Sequence, residues 1–184
     1  MTIRPAELED LNACLALDHS YVTEHVWQME VHEGNELVTV NFRTMRLPRP
    51  VHVQYPRDRN ALLADWHHRD CFLVAILQDS VVNEAIPRIV GYLTMAAHDW
   101  HKTGWVADLV VAPENRRQGI ATELLRKGAD WAHKAGLRRL TVETQTKNYP
   151  AICFLERQGF SFCGCNDRYY ANHDIALFFA LDLY

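Results

Sequence analysis

The pattern of apolar and polar positions predicts short, weakly periodic elements in the first hundred residues. After a strand over residues 2–5, apolar residues at helical spacing predict a helix over residues 8–17. The alternation over residues 37–42 predicts a strand, whereas residues 21–33 are too mixed to predict a regular element. The prolines between positions 47 and 56 predict an irregular connection.

A short helix and a hairpin are predicted next. Residues 59–68 favour a short helix. The apolar runs over residues 71–77 and 89–96 predict two strands, and the polar stretch 78–88 between them predicts the loop that joins them. These two strands therefore form the first clear pairing that the sequence predicts.

The second half of the chain is more regular and contains two predicted helices. A long amphipathic helix follows an apolar strand and ends with Lys134 in its last turn and Gly136 as a left-handed cap. Asn148 is placed to cap a second helix, which Gly159 ends. Strands are predicted over residues 105–111, 140–144, 160–165 and 175–183. This order of elements predicts a single mixed α/β domain.

Composition and charge add one feature to this picture, an uneven distribution of charge along the chain. The chain has 184 residues, of which 48% are hydrophobic and 23% charged, which excludes a disordered, collagen-like or coiled-coil protein. The net charge of −4 argues against general affinity for nucleic acid. Residues 105–165 contain nine Lys and Arg and six Asp and Glu, so they carry +3 and the remainder carries −7. This asymmetry suggests one anionic and one cationic ligand, although two solvated faces would give the same counts.

Cysteine and histidine positions indicate neither a disulfide framework nor a metal site. The five cysteines have no framework spacing, so we expect reduced thiols in a cytoplasmic protein. The ten histidines match no set of metal ligands, and we expect no metal. The apolar runs are far shorter than the ~18 residues that span a membrane, so no membrane segment is expected.

The connection after the strand over residues 105–111 has the chemistry of an anion site. Gly119 and Ala121 lie where the long helix begins, and backbone N–H groups at a helix start have no partner within the helix. The helix dipole and the charges of Arg116 and Arg117 would attract a diphosphate there. No Gly-Lys-Ser/Thr follows, so this is not a Walker loop. An ordinary helix start with two exposed arginines remains the alternative.

Two motifs together resemble those of the GNAT superfamily of N-acetyltransferases. The first is R-x-x-G-x-A, which begins at Arg116, and the second is N-x-x-A-x-x-F-x-x-x-x-G-F, which begins at Asn148. The resemblance covers about residues 105–160 and is closest to the streptothricin acetyltransferases. It implies one α/β domain whose mixed, strongly bent central sheet is flanked by helices. Residues 1–100 would supply the acceptor pocket, and residues 105–165 would bind acetyl-CoA.

The resemblance also implies how acetyl-CoA is bound. Its diphosphate would lie on the turn at the helix start. The strand over residues 109–111 would splay from its neighbour, so that its backbone groups pair with the pantetheine arm and polarise the thioester carbonyl. Asn148 would contact pantetheine, although its role as a helix cap accounts for it equally well. The expected cofactor-binding residues are Leu109, Val110, Val111, Arg116, Arg117, Gln118, Gly119, Ile120, Ala121, Thr122, Asn148, Ala151 and Phe154.

Three residues are the main candidates for the proton transfers of the reaction. An alkylamine has a pKa near 10, so a base must accept its proton before it attacks. Glu143 matches the position of the base in related ribosomal-protein acetyltransferases, and the alternative is a charged residue on a solvated strand face. Asp108 is either a relay base, a receptor for a cationic substrate or a structural anchor. Leu155 stands where the family has a tyrosine that protonates the departing thiolate. Tyr170 is the candidate replacement, Tyr169 and Tyr149 are the alternatives, and packing alone would account for each of them.

These features predict an enzyme that moves an acetyl group from acetyl-CoA directly to a primary amine. A small amine such as a streptothricin-like antibiotic is the first expected acceptor, which would make this an antibiotic-resistance protein. Protein N-termini are the second. A non-catalytic acyl-CoA-binding module is the rival of another class, in which Leu155 marks lost chemistry. Family members often pair, so a homodimer is also expected, and neither nucleic acid nor a membrane is expected as a partner.

Overall fold

The computed structural model describes residues 1–56, 61–64, 66–78 and 88–184, which form two compact units. The first unit contains Met1–His19, Arg57–Glu143 and Ala180–Tyr184. The second contains Ser20–Pro56 and Thr144–Phe179. Each unit is therefore assembled from segments that lie far apart in the sequence.

The described residues form nine strands and four α-helices. The strands are β1 (Thr2–Pro5), β2 (Tyr21–Glu33), β3 (Val38–Val53), β4 (Cys71–Leu77), β5 (Arg88–His98), β6 (Thr103–Val111), β7 (Arg139–Gln145), β8 (Ser161–Asn166) and β9 (Ala176–Asp182). The helices are α1 (Leu11–Ala16), α2 (Ala61–Ala64), α3 (Ile120–Lys134) and α4 (Tyr149–Arg157). Short 3-10 helices cover Leu8–Asp10, Trp66–His68 and Pro113–Asn115.

Seven of the strands form one mixed sheet in the order β1-β4-β5-β6-β7-β9-β8. Pairing is antiparallel from β1 through β4 and β5 to β6, and it is parallel between β6 and β7. β2 and β3 form a separate two-stranded antiparallel ribbon. The predicted α/β class with a mixed sheet is confirmed.

The core of the first unit lies between its sheet and α3. Val74, Leu93, Met95 and Leu124 are completely buried, and each such side chain contributes roughly 1.5–3 kcal/mol of hydrophobic stabilisation. A Cβ on Gly128 would lie only 3.2 Å from the side chain of Leu93, so the missing side chain lets α3 approach β5 closely. This packing fixes the start of α3 beside the end of β6.

The β2–β3 ribbon of the second unit corrects two predictions. Residues 21–33 were expected to be irregular and residues 47–56 a connection, but both stretches belong largely to strands. His25 pairs with Arg46 and Thr23 with Val51, so the prolines at 48 and 50 fall in a register irregularity where strands tolerate them. Much of the ribbon is exposed, and it therefore shows little of the apolar alternation that identifies a half-buried strand.

The other predicted elements agree with the structure where it describes them. The predicted first helix is a 3-10 turn followed by α1, and the predicted strands 71–77 and 89–96 pair antiparallel as β4 and β5. The helix predicted over residues 59–68 is present at α2 and Trp66–His68, while residues 57–60 and 65 lie outside the described residues. Most of the predicted loop 78–88 also lies outside them. Gly136 and Gly159 follow α3 and α4 with φ of 74° and 86°, as the capping prediction requires.

Candidate functional site

The turn between β6 and α3 carries the geometry of an anion site. Val111 ends β6 and Ile120 begins α3, with Gly119 at a φ of 83° between them. A Cβ on Gly119 would meet no atom within 4 Å, so the space beside this backbone is open. No side-chain hydrogen bond caps this helix start within the described residues. Its first N–H groups, together with about half a positive charge from the helix dipole, therefore fit a diphosphate.

The two arginines of the turn have different surroundings. Arg116 Nε donates to the backbone oxygen of Val111 at 2.9 Å, and Nη2 donates to the backbone oxygen of Asp18 at 3.0 Å. Burial lowers the pKa of Arg116 below its ordinary value. Arg117 is exposed and adopts a φ of 64°, in the left-handed region. Sequence reasoning assigned the two arginines the same role. In the structure Arg116 is half-buried and hydrogen-bonded to two backbone oxygens, whereas Arg117 is exposed.

β6 leaves its parallel neighbour halfway along its length. The β6–β7 register runs from Thr103 opposite Arg139 to Val106 opposite Val142, and Leu109, Val110 and Val111 lie beyond its last pair. On its other edge β6 stays paired with β5 as far as Val111. The register therefore agrees with the predicted divergence of β6 from β7. Along residues 109–111, the edge of β6 that faces β7 has no partner in that register.

Two candidate carboxylates flank the point of divergence. Glu143 is the residue after the last β7 pair and is half-buried. Asp108 follows a bulge at Ala107 in β6 and is 8% exposed. Thr94 Oγ1 donates a 2.6 Å hydrogen bond to Asp108 Oδ2. The first unit thus places both acids and the anion turn on or directly after β6 and β7.

The remaining predicted cofactor contacts lie on α4 in the second unit. Asn148 Oδ1 accepts a hydrogen bond from the backbone N–H of Ala151 at 3.3 Å, so Asn148 does cap this helix. Leu155 is buried at 2% exposure and serves as a core residue of α4. Across the whole predicted set, Val111 and Ile120 are buried; Leu109, Val110, Arg116, Ala121, Asn148, Ala151 and Phe154 are half-buried; and Arg117, Gln118, Gly119 and Thr122 are exposed.

Tyr170, the candidate replacement acid, is held on a short loop of the second unit. Its side chain is buried at 9% exposure, and its hydroxyl lies 3.2 Å from the hydroxyl of Tyr55. The two rings are edge-to-face with centroids 6.0 Å apart. Sequence reasoning did not connect Tyr55 with Tyr170, because the two residues are separated by 115 positions.

A buried polar network beside this loop was also missed. Gln145, at the end of β7, is completely buried; its amide donates to Asp174 Oδ2, and its Oε1 accepts from the hydroxyl of Tyr21 at 2.9 Å. Lys147 Nζ lies 2.7 Å from Asp174 Oδ1, and Asn172 Nδ2 donates to Asp174 Oδ2 at 2.8 Å. Burial, with a smaller contribution from Asp174, raises the pKa of Tyr21. Gln145 ends a polar stretch of β7, after Glu143 and Thr144, so no local pattern indicated that its side chain would be buried.

The described residues also bear on metals and membranes. Within the ranges given above, no three His, Cys, Asp or Glu side chains are grouped so that they could hold a metal ion. No described helix is both long enough and apolar enough to cross a lipid bilayer.

The chain has recognisable relatives among known proteins. A family model described as the acetyltransferase (GNAT) family matches residues 37–160. Streptothricin acetyltransferase of Streptomyces lavendulae is 34% identical over 82 residues, which are 45% of this chain and 43% of the relative. N-alpha-acetyltransferase of Saccharolobus solfataricus is 32% identical over 115 residues, 61% of this chain and 69% of the relative. The chain aligns with less than half the length of the first relatives that it matches.

A solved structure shares the fold over the full chain. The crystal structure of nourseothricin acetyltransferase superposes with a TM-score of 0.80 at 23% identity, covering 100% of this chain and 98% of that one. At this identity the likeness shows the fold alone.

Proposed function

This chain belongs to the acetyltransferase (GNAT) family, and from that membership we propose that it transfers the acetyl group of acetyl-CoA directly to a primary amine. The observation that carries the proposal is the geometry of the first unit. There the anion turn directly follows β6, and Glu143 lies where β7 departs from β6. Acetyl-CoA supplies the activated acetyl group as a thioester.

The backbone of β6 has the first task in this reaction. The edge of residues 109–111 that has left β7 offers backbone N–H and C=O groups to the amides of the pantetheine arm, except the oxygen of Val111, which accepts from Arg116 Nε. One of these N–H groups would donate to the thioester oxygen as negative charge develops on it. A donor of this kind typically lowers the activation free energy by about 3 kcal/mol. The N–H groups around Gly119 hold the diphosphate at the far end of the same strand.

Glu143 has the second task, as the base. The amine nitrogen attacks the thioester carbon, the C–S bond breaks, and the nitrogen gives up one proton. An alkylamine with a pKa near 10 is mostly protonated at neutral pH, so a carboxylate must draw off a proton directly or through a water. Glu143 is half-buried beside the divergence and suits this role. Asp108 is the second candidate, as a relay.

The departing thiolate requires a general acid less than the attacking amine requires a general base. Leu155 occupies the position of the family's tyrosine; it is buried in α4, and its hydrocarbon side chain has no proton to donate. A free thiol has a pKa near 8.5, and its thiolate can leave without an acid. We propose Tyr170 as the group that assists this departure, which would affect the rate rather than the existence of the reaction.

A small streptothricin-like amine is the first proposed acceptor, with residues 1–100 forming its pocket. The streptothricin acetyltransferase relative and the −7 charge outside residues 105–165 support it. The N-alpha-acetyltransferase relative supports protein N-termini as the second candidate. The proposed location is the cytoplasm, where five cysteines would remain reduced.

Thiol release from acetyl-CoA tests the proposal. The acceptor panel contains streptothricin, aminoglycosides, polyamines and short peptides with free N-termini, and we expect release with one class only. Glu143→Gln should lower the rate by about 10²- to 10⁴-fold with unchanged CoA affinity by calorimetry. Glu9→Gln, at an exposed glutamate on the first 3-10 helix, is the matched control. CoA binding without turnover would favour the acyl-CoA-binding module, and absence of CoA binding would overturn the proposal.

A further inference from the structure

The side chain of Arg116 connects two backbone segments of the first unit. Its Nε–H is directed to the oxygen of Val111, the last residue of β6, and its Nη2 is directed to the oxygen of Asp18, just after α1. The two residues that it joins are 93 positions apart, between 18 and 111. A guanidinium presents donors in a fixed planar fork, so one arginine can satisfy two carbonyls in different directions.

The position of this bridge matters for the anion turn. Val111 is the last residue before the turn, and the N–H of Ala112 donates to the oxygen of Val90 at 2.8 Å. The entry to the turn is thus fixed on one side by β5 and on the other by the Arg116 side chain. Asn115 donates its N–H to the oxygen of Ala112 at 2.9 Å, which continues the ordered backbone toward Gly119.

Arg117 differs from Arg116 in its exposure and its backbone conformation. It is exposed, its φ of 64° places it in the left-handed region, and it directly precedes the exposed residues Gln118 and Gly119. A non-glycine residue in this region is strained, and such strain persists where the surrounding structure enforces it. Because Arg117 is exposed, its side chain lies on the solvent side of the turn, from which the phosphates of a ligand would approach.

We propose that Arg116 is a positioning residue that fixes the anion turn, and that Arg117 alone supplies the arginine charge that the diphosphate meets. The proposal rests on the proposed binding of acetyl-CoA. It divides between the two arginines a role that sequence reasoning assigned to both of their charges. Arg116 acts through geometry, so its effect on binding does not depend on salt, whereas the effect of Arg117 is a charge effect that salt weakens.

Calorimetry with CoA and with pantetheine, which lacks the phosphates, tests the division. Arg116→Lys keeps the charge but loses the fork, and we expect CoA binding about tenfold weaker, the equivalent of one charge-assisted hydrogen bond, with the wild-type salt dependence. Arg117→Gln should weaken CoA binding and flatten its salt dependence, whereas Arg117→Lys should retain both. Pantetheine affinity should change in neither Arg117 variant.

Two results would overturn the proposal. The first is an Arg116→Lys variant that binds CoA like the wild type while Arg116→Gln does not, because charge would then be what matters. The second is an Arg117→Gln variant with the wild-type salt dependence. The second comparison involves only an exposed side chain, so it decides the division of roles even if thermal unfolding shows that an Arg116 variant does not fold. Failure of the wild-type chain to bind CoA would instead overturn the proposed function.

Discussion

Thr94 donates a 2.6 Å hydrogen bond to the carboxylate of Asp108, and these two residues are directly opposite each other on β5 and β6. Thr94 is completely buried and Asp108 is 8% exposed. A buried carboxylate needs such a donor, because a charge taken out of water without a partner is costly. Of the three roles that the sequence allowed for Asp108, the structural anchor is the one with a visible partner, and the relay role remains a prediction.

Removing the Thr94 hydroxyl should destabilise the first unit. Thr94→Val keeps the shape of the side chain but takes a donor from the Asp108 carboxylate, so we expect the free energy of unfolding to fall by about 1–3 kcal/mol. Thr94→Ser retains a hydroxyl and serves as the control. Urea unfolding followed by tryptophan fluorescence measures the change, and a Thr94→Val protein with the wild-type midpoint would contradict this account.

Asp174 should be a principal support of the loop that carries Tyr170. Its carboxylate accepts hydrogen bonds from Gln145 and Asn172 and pairs with Lys147. Asp174→Ala removes all three interactions, and we expect a loss of about 1–3 kcal/mol of unfolding free energy.

The Asp174 prediction has a nearby control. Asp167→Ala removes an exposed carboxylate from the start of the same loop and should cost much less. Chemical denaturation of both variants is the measurement. Equal losses in the two proteins would show that the network around Asp174 adds no stability beyond that of a surface acid.

The ion pair of Arg4 and Asp10 should make the first unit sensitive to acid. The hydrogen bond from Arg4 holds the pKa of Asp10 below its ordinary value of about 3.9. Because the folded pKa is lowered, the stabilisation is complete above the unfolded pKa and is lost as the pH falls through the folded one. We expect the unfolding free energy to decrease from about pH 5 downward, and less steeply in Asp10→Asn.

Unfolding curves at several pH values check this effect. Asp99→Asn, at an exposed carboxylate in the same unit, is the control and should follow the wild-type profile. An Asp10→Asn protein whose stability declines with acid as steeply as the wild type would exclude Asp10 as the cause.

The cysteines should differ sharply in reactivity. Burial raises the pKa of Cys14 and of Cys71 to about 12, so their thiols stay protonated and shielded in the folded protein. Cys163 is exposed on β8. Labelling with a thiol reagent at pH 8 should modify Cys163 while Cys14 and Cys71 react only in urea. Mass spectrometry identifies the sites, Cys163→Ser is the control, and rapid native labelling of Cys14 would refute the assignment.

Local signals were sufficient for the two regular helices and their ends. Gly136, Asn148 and Gly159 act through the backbone of their own turn, so their effect on α3 and α4 can be predicted from neighbouring residues. The anion turn belongs to the same class, because its N–H groups depend on where α3 begins. The alternation over residues 37–42 did predict the first part of β3, but β2 and the rest of β3 could not be predicted in this way, since these mostly exposed strands show little apolar alternation.

By itself, the sequence determined the elements of the second half of the chain, the position of the turn at Gly119 and the residue types available for acetyl transfer. The tertiary structure decided what those side chains contact. It turned Arg116 inward to Asp18, gave Asp108 a donor in Thr94 and set Tyr170 against Tyr55. Each of these partners is between 14 and 115 positions away along the chain. Contacts of this kind form only when the strands and loops pack, so no local pattern encodes them.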